Sequence, residues 1–589
     1  MNINDAAKVV GLNSRTIRFY ESKGLFGVTR DSNQYRNYDD ETIEALKKIK
    51  MLRYIGVKIS DIRLWQSGIL STDEMLKSRL KELKNEEKVN AEQVAACAEL
   101  LSNGQDVISL VNNMPDNQMP DDQDSVLNDK QPNESPVYIG LDIGTTTISL
   151  VVLGEDQKTV YECYNIPNNS QIISDKAFHK IQSVEYIINK ISALVDMAVK
   201  YHERIIAIGL TGQMHGILYI DNDGMAVSDL YTWQDKCGEE LINESGNGET
   251  GGRTYCKYIE DISGEKVATG YGLVTHYYLM KNNLLPAKAH KFCTIIDYAG
   301  MILTDRKSPL THVSNAASFG CFNCETNDFK WDKLDILGID NKYLPEITVK
   351  NQIIGVYSEI PVIVAIGDNQ ASFIGTVDNL ESSVLINIGT GSQLSMLSKD
   401  TKDFGYNKQN DSFEIRPFIN DMQLKSYSAL CGGYAYAILQ QFVGEIVFYA
   451  TGEAREQYDL LERSILDVHD YTGVKVNTTF NGTRQNPDKT GSIENITSEN
   501  FSLKNLVYGF SEGIVNELYE KYLEMLSPKE SENIKYITIS GNGARKNKLI
   551  PQIIKKIFNK DTVMKNSEEE AAIGAAMFAG EYIKNGGLS

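Results

Sequence analysis

The sequence predicts a multidomain chain. A small all-α head of helix-turn-helix type carries a dimer helix and precedes a larger α/β body made by duplicating one domain. Three observations predict this. Residues 113–136, NMPDNQMPDDQDSVLNDKQPNESP, hold four of the thirteen prolines and six acidic residues against one Lys, with no apolar period, so they read as a linker. Ahead of it, two short helical stretches flank a glycine-containing turn. Behind it, VYIGLDIGTTTISL (137–150) is echoed about 245 residues later by VLINIGTGSQLSML (384–397).

The chain has 589 residues, 42% of them hydrophobic, which is enough for several cores. A net charge of −20 excludes a protein that coats nucleic acid or membrane with its whole surface. No run reaches the ~18 apolar residues of a membrane span, and MNINDAAKVV lacks a signal-peptide core. No membrane partner and a cytoplasmic location are expected. Cys321-x-x-Cys324 has no second ligand pair, so reduced thiols are expected there, not a zinc site.

In the head, residues 3–11 read as a helix ending at Gly11. Asn13 or Ser14 then caps a second helix that stops at Gly24. That second helix carries Arg15, Thr16, Arg18 and Tyr20, side chains able to reach phosphates and base edges. The stretch GVTRDSNQYRNYDDETI has hairpin character and offers Arg30, Arg36 and Tyr38 to a DNA backbone. Residues 1–63 hold twelve Lys+Arg against eight Asp+Glu, a locally basic segment in an acidic chain. Leu76, Leu80, Leu83, Glu87, Asn90, Val94, Cys97 and Leu101 follow alternating steps of four and three, a coiled-coil seam with two polar interruptions, which predicts a homodimer. An amphipathic helix docked on its own domain is the other reading of that pattern.

The strings TIRFYESKGLF and YRNYDDETIEALKKIKMLRYIGVKISDI resemble the MerR family of transcription regulators over about seventy residues, with Phe19 where the family usually has Tyr. The resemblance implies a winged helix-turn-helix, a dimer and binding to double-stranded DNA.

In the body, Asp142 aligns with Asn387, Gly144 with Gly389, Thr145 with Thr390 and Thr147 with Ser392. Glycines let a backbone approach a ligand, and loop N–H groups with hydroxyls cradle phosphate oxygens. Gly144, Thr145 and Thr146 form one such turn, and Gly389, Thr390 and Gly391 the other. Asp142 carries the charge that Asn387 lacks, so Asp142 is the expected Mg²⁺ ligand, directly or through water. Asp368, set between glycine-bearing segments before a small-residue helix start, suits a base that accepts a hydroxyl proton in phosphoryl transfer.

The body resembles the actin-like ATPase fold (ribonuclease H-like), and within it the FGGY carbohydrate kinases, over essentially all of residues 137–589. The motifs fall in family order: GLTGQMHGILYID, YTWQDKC, SNAASFG, VAIGDNQASFIGT, CGGYAYAIL, ITISGNGARKN and EEEAAIGAAMFAG. The resemblance implies ATP and Mg²⁺ as cofactors, with Asp368 catalytic. It implies a sugar site of Gln213, Met214, His215, Trp233, Asp235, Asp368 and Asn369. Gly432 and Gly433 lie near the nucleotide, Gly543 and Asn547 at its adenosine, and the helix around 568–580 closes the second domain. The Gln-Met-His-Gly wording points to ketoses, with sedoheptulose ranked before xylulose. A sugar-sensing regulator with a non-catalytic kinase fold is the alternative, disfavoured because Asp142, Asp368 and both turns are intact. The expected divisions are 1–70 (DNA-binding), 71–112 (dimer helix), 113–136 (linker), 137–373 (sugar and phosphate) and 374–589 (nucleotide). So flexible a linker argues against strong coupling between head and body.

Overall fold

The computed structural model describes the chain except residues 31–35, 86–96, 99–134, 243–251, 400–412, 453–455, 466–472, 484–485, 487, 566–568 and 587–589. The 113–136 linker therefore lies almost wholly outside the described residues, as do Glu87, Asn90, Val94 and Leu101 of the seam.

The head is built as its caps dictate. α1 (Ile3–Val10) starts at Asn2, whose side chain accepts from the N–H groups of Asn4 and Asp5, and ends at Gly11 with φ 68°. α2 (Ser14–Ser22) is capped by Asn13, which accepts from the Thr16 N–H. β1 (Thr29–Arg30) and β2 (Arg36–Asn37) pair antiparallel as a small wing. α3 (Asp40–Tyr54), α4 (Ile59–Gln66) and α5 (Thr72–Asn85) complete the head.

Leu76 and Leu83 are buried within the single chain, and the thiol of the equally buried Cys97 donates to the Leu76 carbonyl. Their apolar surface is already covered. At these positions the structure favours a helix docked on its own chain over an open dimer seam.

The body contains two six-stranded sheets that share the order of five strands and add the sixth at opposite edges. In the first, the hairpin of β3 (Val137–Ile143) and β4 (Thr147–Gly154) continues antiparallel into β5 (Val160–Pro167). On its other side β3 runs parallel to Ile205–Gly212, itself parallel to Ile360–Ile363. In the second, the hairpin of Ser383–Ile388 and Ser392–Ser398 continues antiparallel into Gln423–Ala429. On its other side it runs parallel to Tyr536–Ser540 and then Asp561–Met564. Asp142 stands opposite Ser149 and Thr211, and Asn387 stands opposite Gln393 and Ser540. The duplication read from two short strings is the architecture of the whole body.

One expectation is overturned. The helix Glu570–Lys584 packs on the first sheet and on the helix Asp368–Thr376, where the sequence reading had it close the second domain. Missing side chains permit this. A Cβ added at Gly140 would lie 1.8 Å from the Ala572 carbonyl oxygen, and one at Gly574 would lie 1.8 Å from that of Ala371. The first domain thus draws its covering helix from beyond the second, and a boundary at residue 373 does not separate them.

The first sheet's free edge, β5, is covered by the head through α4, where Arg63 pairs with Glu162 at 2.6 Å. Covering an edge strand removes a template for wrong pairing. Among the described residues, no helix is long and apolar enough to cross a membrane.

Replacing Gly574 by Val should force the helices Glu570–Lys584 and Asp368–Thr376 apart and destabilise the first domain by about 1–3 kcal/mol or more. Thermal unfolding followed by circular dichroism checks this through a lowered first transition.

Candidate active site

The first phosphate turn is held from behind. The carbonyls of Gly144 and Thr146 accept from the Asn168 side chain and backbone N–H, each at 2.8 Å, and the Thr145 carbonyl accepts from Gln182 at 2.8 Å. Gln213 is only 4% exposed. Its amide nitrogen donates to Gln182 at 2.9 Å and its oxygen accepts from the Thr145 hydroxyl at 3.2 Å. The residue placed in the sugar site from sequence therefore braces the phosphate turn. Trp233, about half exposed, donates its indole N–H to the Thr145 hydroxyl at 2.9 Å and stands over the same turn.

The second turn closes on glycines. The N–H groups of Gly432 and Gly433 donate to the carbonyls of Thr390 and Gly389 at 2.9 and 2.8 Å. The position of a Cβ on Gly433 would fall 2.5 Å from the Gly389 oxygen and 3.6 Å from the Gly543 Cα. Three glycine segments distant in sequence thus meet at backbone distance around Gly389–Gly391, leaving Thr390 exposed. Asn547 does not join them. It is 2% exposed, donates to Ser511 at 2.9 Å and accepts the Leu549 N–H, so its amide is spent on the fold and the adenosine role is withdrawn.

A cavity of about 270 Å³ lies between the domains, lined among others by Met214, His215, Tyr271, Ser318, Cys321 and Arg416. His215 has φ 71°, its Nδ1 lies 2.7 Å from the Ser318 carbonyl, and its ring stacks on Tyr271 at 4.8 Å. A carbonyl only accepts, so Nδ1 carries a proton and donates it to Ser318. Met214 touches the Asn369 amide through sulfur at 3.8 Å, and Asn369 in turn accepts from Gln393 of the second hairpin at 3.4 Å.

Asp235 is withdrawn from the sugar set. It is fully buried and accepts from His179 and from the backbone N–H groups of Lys180 and Cys237. Cys321 and Cys324 are unbridged, and burial holds both thiols up at about 11.

Asp368 opens the helix Asp368–Thr376, and its Oδ1 is enclosed without a hydrogen-bond partner. Burial pushes its carboxyl up to about 6, against the opposing charge of Arg416 and the Asn369 N–H. Arg416 comes from the second domain, tied to Glu414 at 2.6 Å. Asp142 is raised to about 7, first by burial and then by repulsion from Asp368 and Glu569. Three carboxylates therefore crowd one region, and a divalent cation fits that demand.

In the head, Arg15 and Arg18 are exposed on α2 and Thr16 is half-buried. Arg36 pairs with Glu21 at 2.8 Å and remains partly exposed. Arg30 lies in the wing strand β1. Tyr20 and Tyr38 are corrected: both are fully buried and pack in the head's core, out of a duplex's reach. Sequence reading missed Tyr271, Ser318 and Arg416. The SNAASFG motif flagged the neighbourhood of Ser318, while Tyr271 and Arg416 carry no local signal.

A duplicated α/β body with glycine turns, a buried carboxylate and a cavity between the domains fits a phosphotransferase of actin-like architecture. Comparison with known proteins agrees. Residues 137–375 match the FGGY family of carbohydrate kinases, N-terminal domain, and residues 1–68 match the MerR HTH family regulatory protein. Sedoheptulokinase of Mus musculus is 25% identical over 75% of this chain and 97% of its own length. Xylulose kinase of Staphylococcus xylosus is 23% identical over 75% and 90%. The ligand-bound xylulose kinase structure from Lactobacillus acidophilus superposes with a TM-score of 0.59 at 20% identity, covering 76% of this chain and 90% of that one. The chain is an ATP-dependent carbohydrate kinase whose residues 137–375 match the FGGY N-terminal domain and whose residues 1–68 match a MerR-type helix-turn-helix domain.

A base must be ionised to accept a proton, so kcat/KM should fall as pH drops through about 6, where Asp368 protonates. A pH–rate profile measured with saturating Mg-ATP checks this, and an acid limb near the ordinary carboxylate value would contradict it.

Proposed function

We propose that the enzyme transfers the γ-phosphoryl group of Mg-ATP to the terminal hydroxyl of sedoheptulose, giving sedoheptulose 7-phosphate and ADP. We further propose that its head binds double-stranded DNA. The observation that carries the sugar reading is the cavity walled by Met214 and His215 beside Asp368, with His215 held in place through its Nδ1. The likeness to sedoheptulokinase over nearly that protein's full length supports the seven-carbon ketose, with xylulose next.

The step needs little covalent work from the protein. The sugar's terminal oxygen bonds to the γ-phosphorus as the bond to the β–γ bridging oxygen breaks. Its proton passes to Asp368, whose unpartnered Oδ1 is positioned to take it. The N–H groups and hydroxyls of the two turns hold the phosphates, and Gly543 gives the nucleotide close backbone approach. Asp142 would hold Mg²⁺, which supplies charge neutralisation when bound.

For the head, the support is the pair of exposed arginines on α2 and the adjoining wing with Arg30 and Arg36. A homodimer remains part of this reading through the family match, with the interface open.

Release of ADP should be seen with one ketose from a panel of sedoheptulose, xylulose, ribulose, fructose and glycerol, and Asp368→Ala should lower it about 10²–10⁴-fold. Turnover that survives the substitution would remove Asp368 from the mechanism. A mobility shift on the protein's own upstream DNA should weaken with salt, and Arg18→Ala should reduce the salt slope by about 1.

A further inference from the structure

The head and the phosphate turn are joined by side chains from one short stretch of chain. Arg63 on α4 has a side chain only 7% exposed. Its Nε donates to the carbonyl of Lys23, the C-cap of α2, at 2.8 Å. Its Nη1 donates to Glu162 at 2.6 Å and to the Tyr164 hydroxyl at 2.8 Å, both on β5. The guanidinium lies 4.9 Å from the Tyr201 ring centre, and Tyr201 also stands against Gly24 at the turn after α2. One buried cation therefore staples the end of the helix bearing Arg15 and Arg18 to the edge of the first sheet. Glu162 is held down at about 2: burial pushes it up, but the His202 hydrogen bond, the Arg63 charge and the Tyr164 hydroxyl outweigh that.

β5 leads directly into Asn168 and Asn169. Asn168 is 1% exposed and holds the carbonyl of Gly144 in the phosphate turn at 2.8 Å. Its neighbour Asn169 donates to Glu74 at 2.7 Å, and Glu74 accepts from Ser71 at the start of α5. Lys190 of the helix Val184–Tyr201 donates to the Ile69 carbonyl between α4 and α5. Adjacent residues thus grip the phosphate turn on one side and the head on the other. The contact does not run through residues 113–136.

We propose that the β5 edge and the Asn168–Asn169 pair form a coupling surface, through which occupancy of the phosphate turn shifts the placement of α2 and the affinity of the head for DNA. This rests on the kinase and DNA-binding reading above. Coupling of this kind is reciprocal, so DNA must change nucleotide affinity by the same factor.

The test is hydrogen exchange on the full chain, with and without a non-hydrolysable ATP analogue and Mg²⁺, for wild type and Asn169→Ala. Asn169 is exposed and its side-chain amide donates to Glu74 of the head, so the variant is expected to fold. In wild type the analogue should slow exchange around Gly144–Thr146 and change it at least threefold in Ser14–Ser22 and Ile59–Gln66. Asn169→Ala should keep the protection at the turn and lose the change in the two helices. In parallel, the analogue should alter the Kd for the upstream DNA fragment about fivefold in wild type and less than twofold in the variant. Protection at the turn with no change in the helices, or a change undiminished in the variant, overturns the proposal. Absence of protection at the turn overturns it together with the nucleotide site. A lack of any DNA shift removes the DNA reading and its linkage to nucleotide, while the exchange data still decide whether the two modules communicate.

Discussion

Everything in the cleft answers to one electrostatic constraint. Asp142 is repelled by both Asp368 and Glu569, and burial raises Asp142 and Asp368 alike, so full ionisation of this cluster calls for positive charge. Arg416 supplies part of it at Asp368, and it comes from the second domain. The carboxylate of one domain is thus electrostatically tied to a cation of the other. The glycine turns bring backbone dipoles and no further titrating group.

The cavity is defined by orientation as much as by composition. His215 is held in a left-handed backbone conformation, pinned through Nδ1 and stacked on Tyr271, so its ring has one tautomer and one plane. The Ser314 hydroxyl lies 2.7 Å from His312 Nδ1 and accepts the Gly367 N–H at 3.2 Å, directly before Asp368. The SNAASFG segment thus sets both the cavity-lining His215, through Ser318, and the approach to Asp368, through Ser314.

Much of this was legible in the sequence because chemistry and backbone constraint coincide there. Asp142, the two glycine turns and Asp368 sit in strings where small residues and a carboxylate leave few other readings. The helix caps of the head, Asn13 and Gly11, were equally plain. What escaped were questions of which way a side chain faces. Tyr20 and Tyr38 look in sequence like DNA-contacting tyrosines but complete a core; Asp235, Gln213 and Asn547 are polar residues that each take at least one partner from a segment 31 or more residues away. Arg416 could not be placed because nothing near it in sequence announces the cavity it enters. The helix Glu570–Lys584 was recognised as a helix and assigned to the wrong sheet, since the glycine–carbonyl approaches that seat it are tertiary facts.

That helix has a consequence for how the molecule is assembled. The strands of the first sheet are all made by residue 363, but the surface that Gly140 and Gly209 prepare stays bare until the residues around Ala572 and Ala575 have emerged and folded. During synthesis the first half must wait with an apolar face uncovered while some two hundred further residues are added. Once in place, the chain has crossed between the halves twice, so they are hinged at two points and cannot drift apart as beads on a string. Two such tethers fix Asp368, the turns and the cavity in one alignment more firmly than a single connection would.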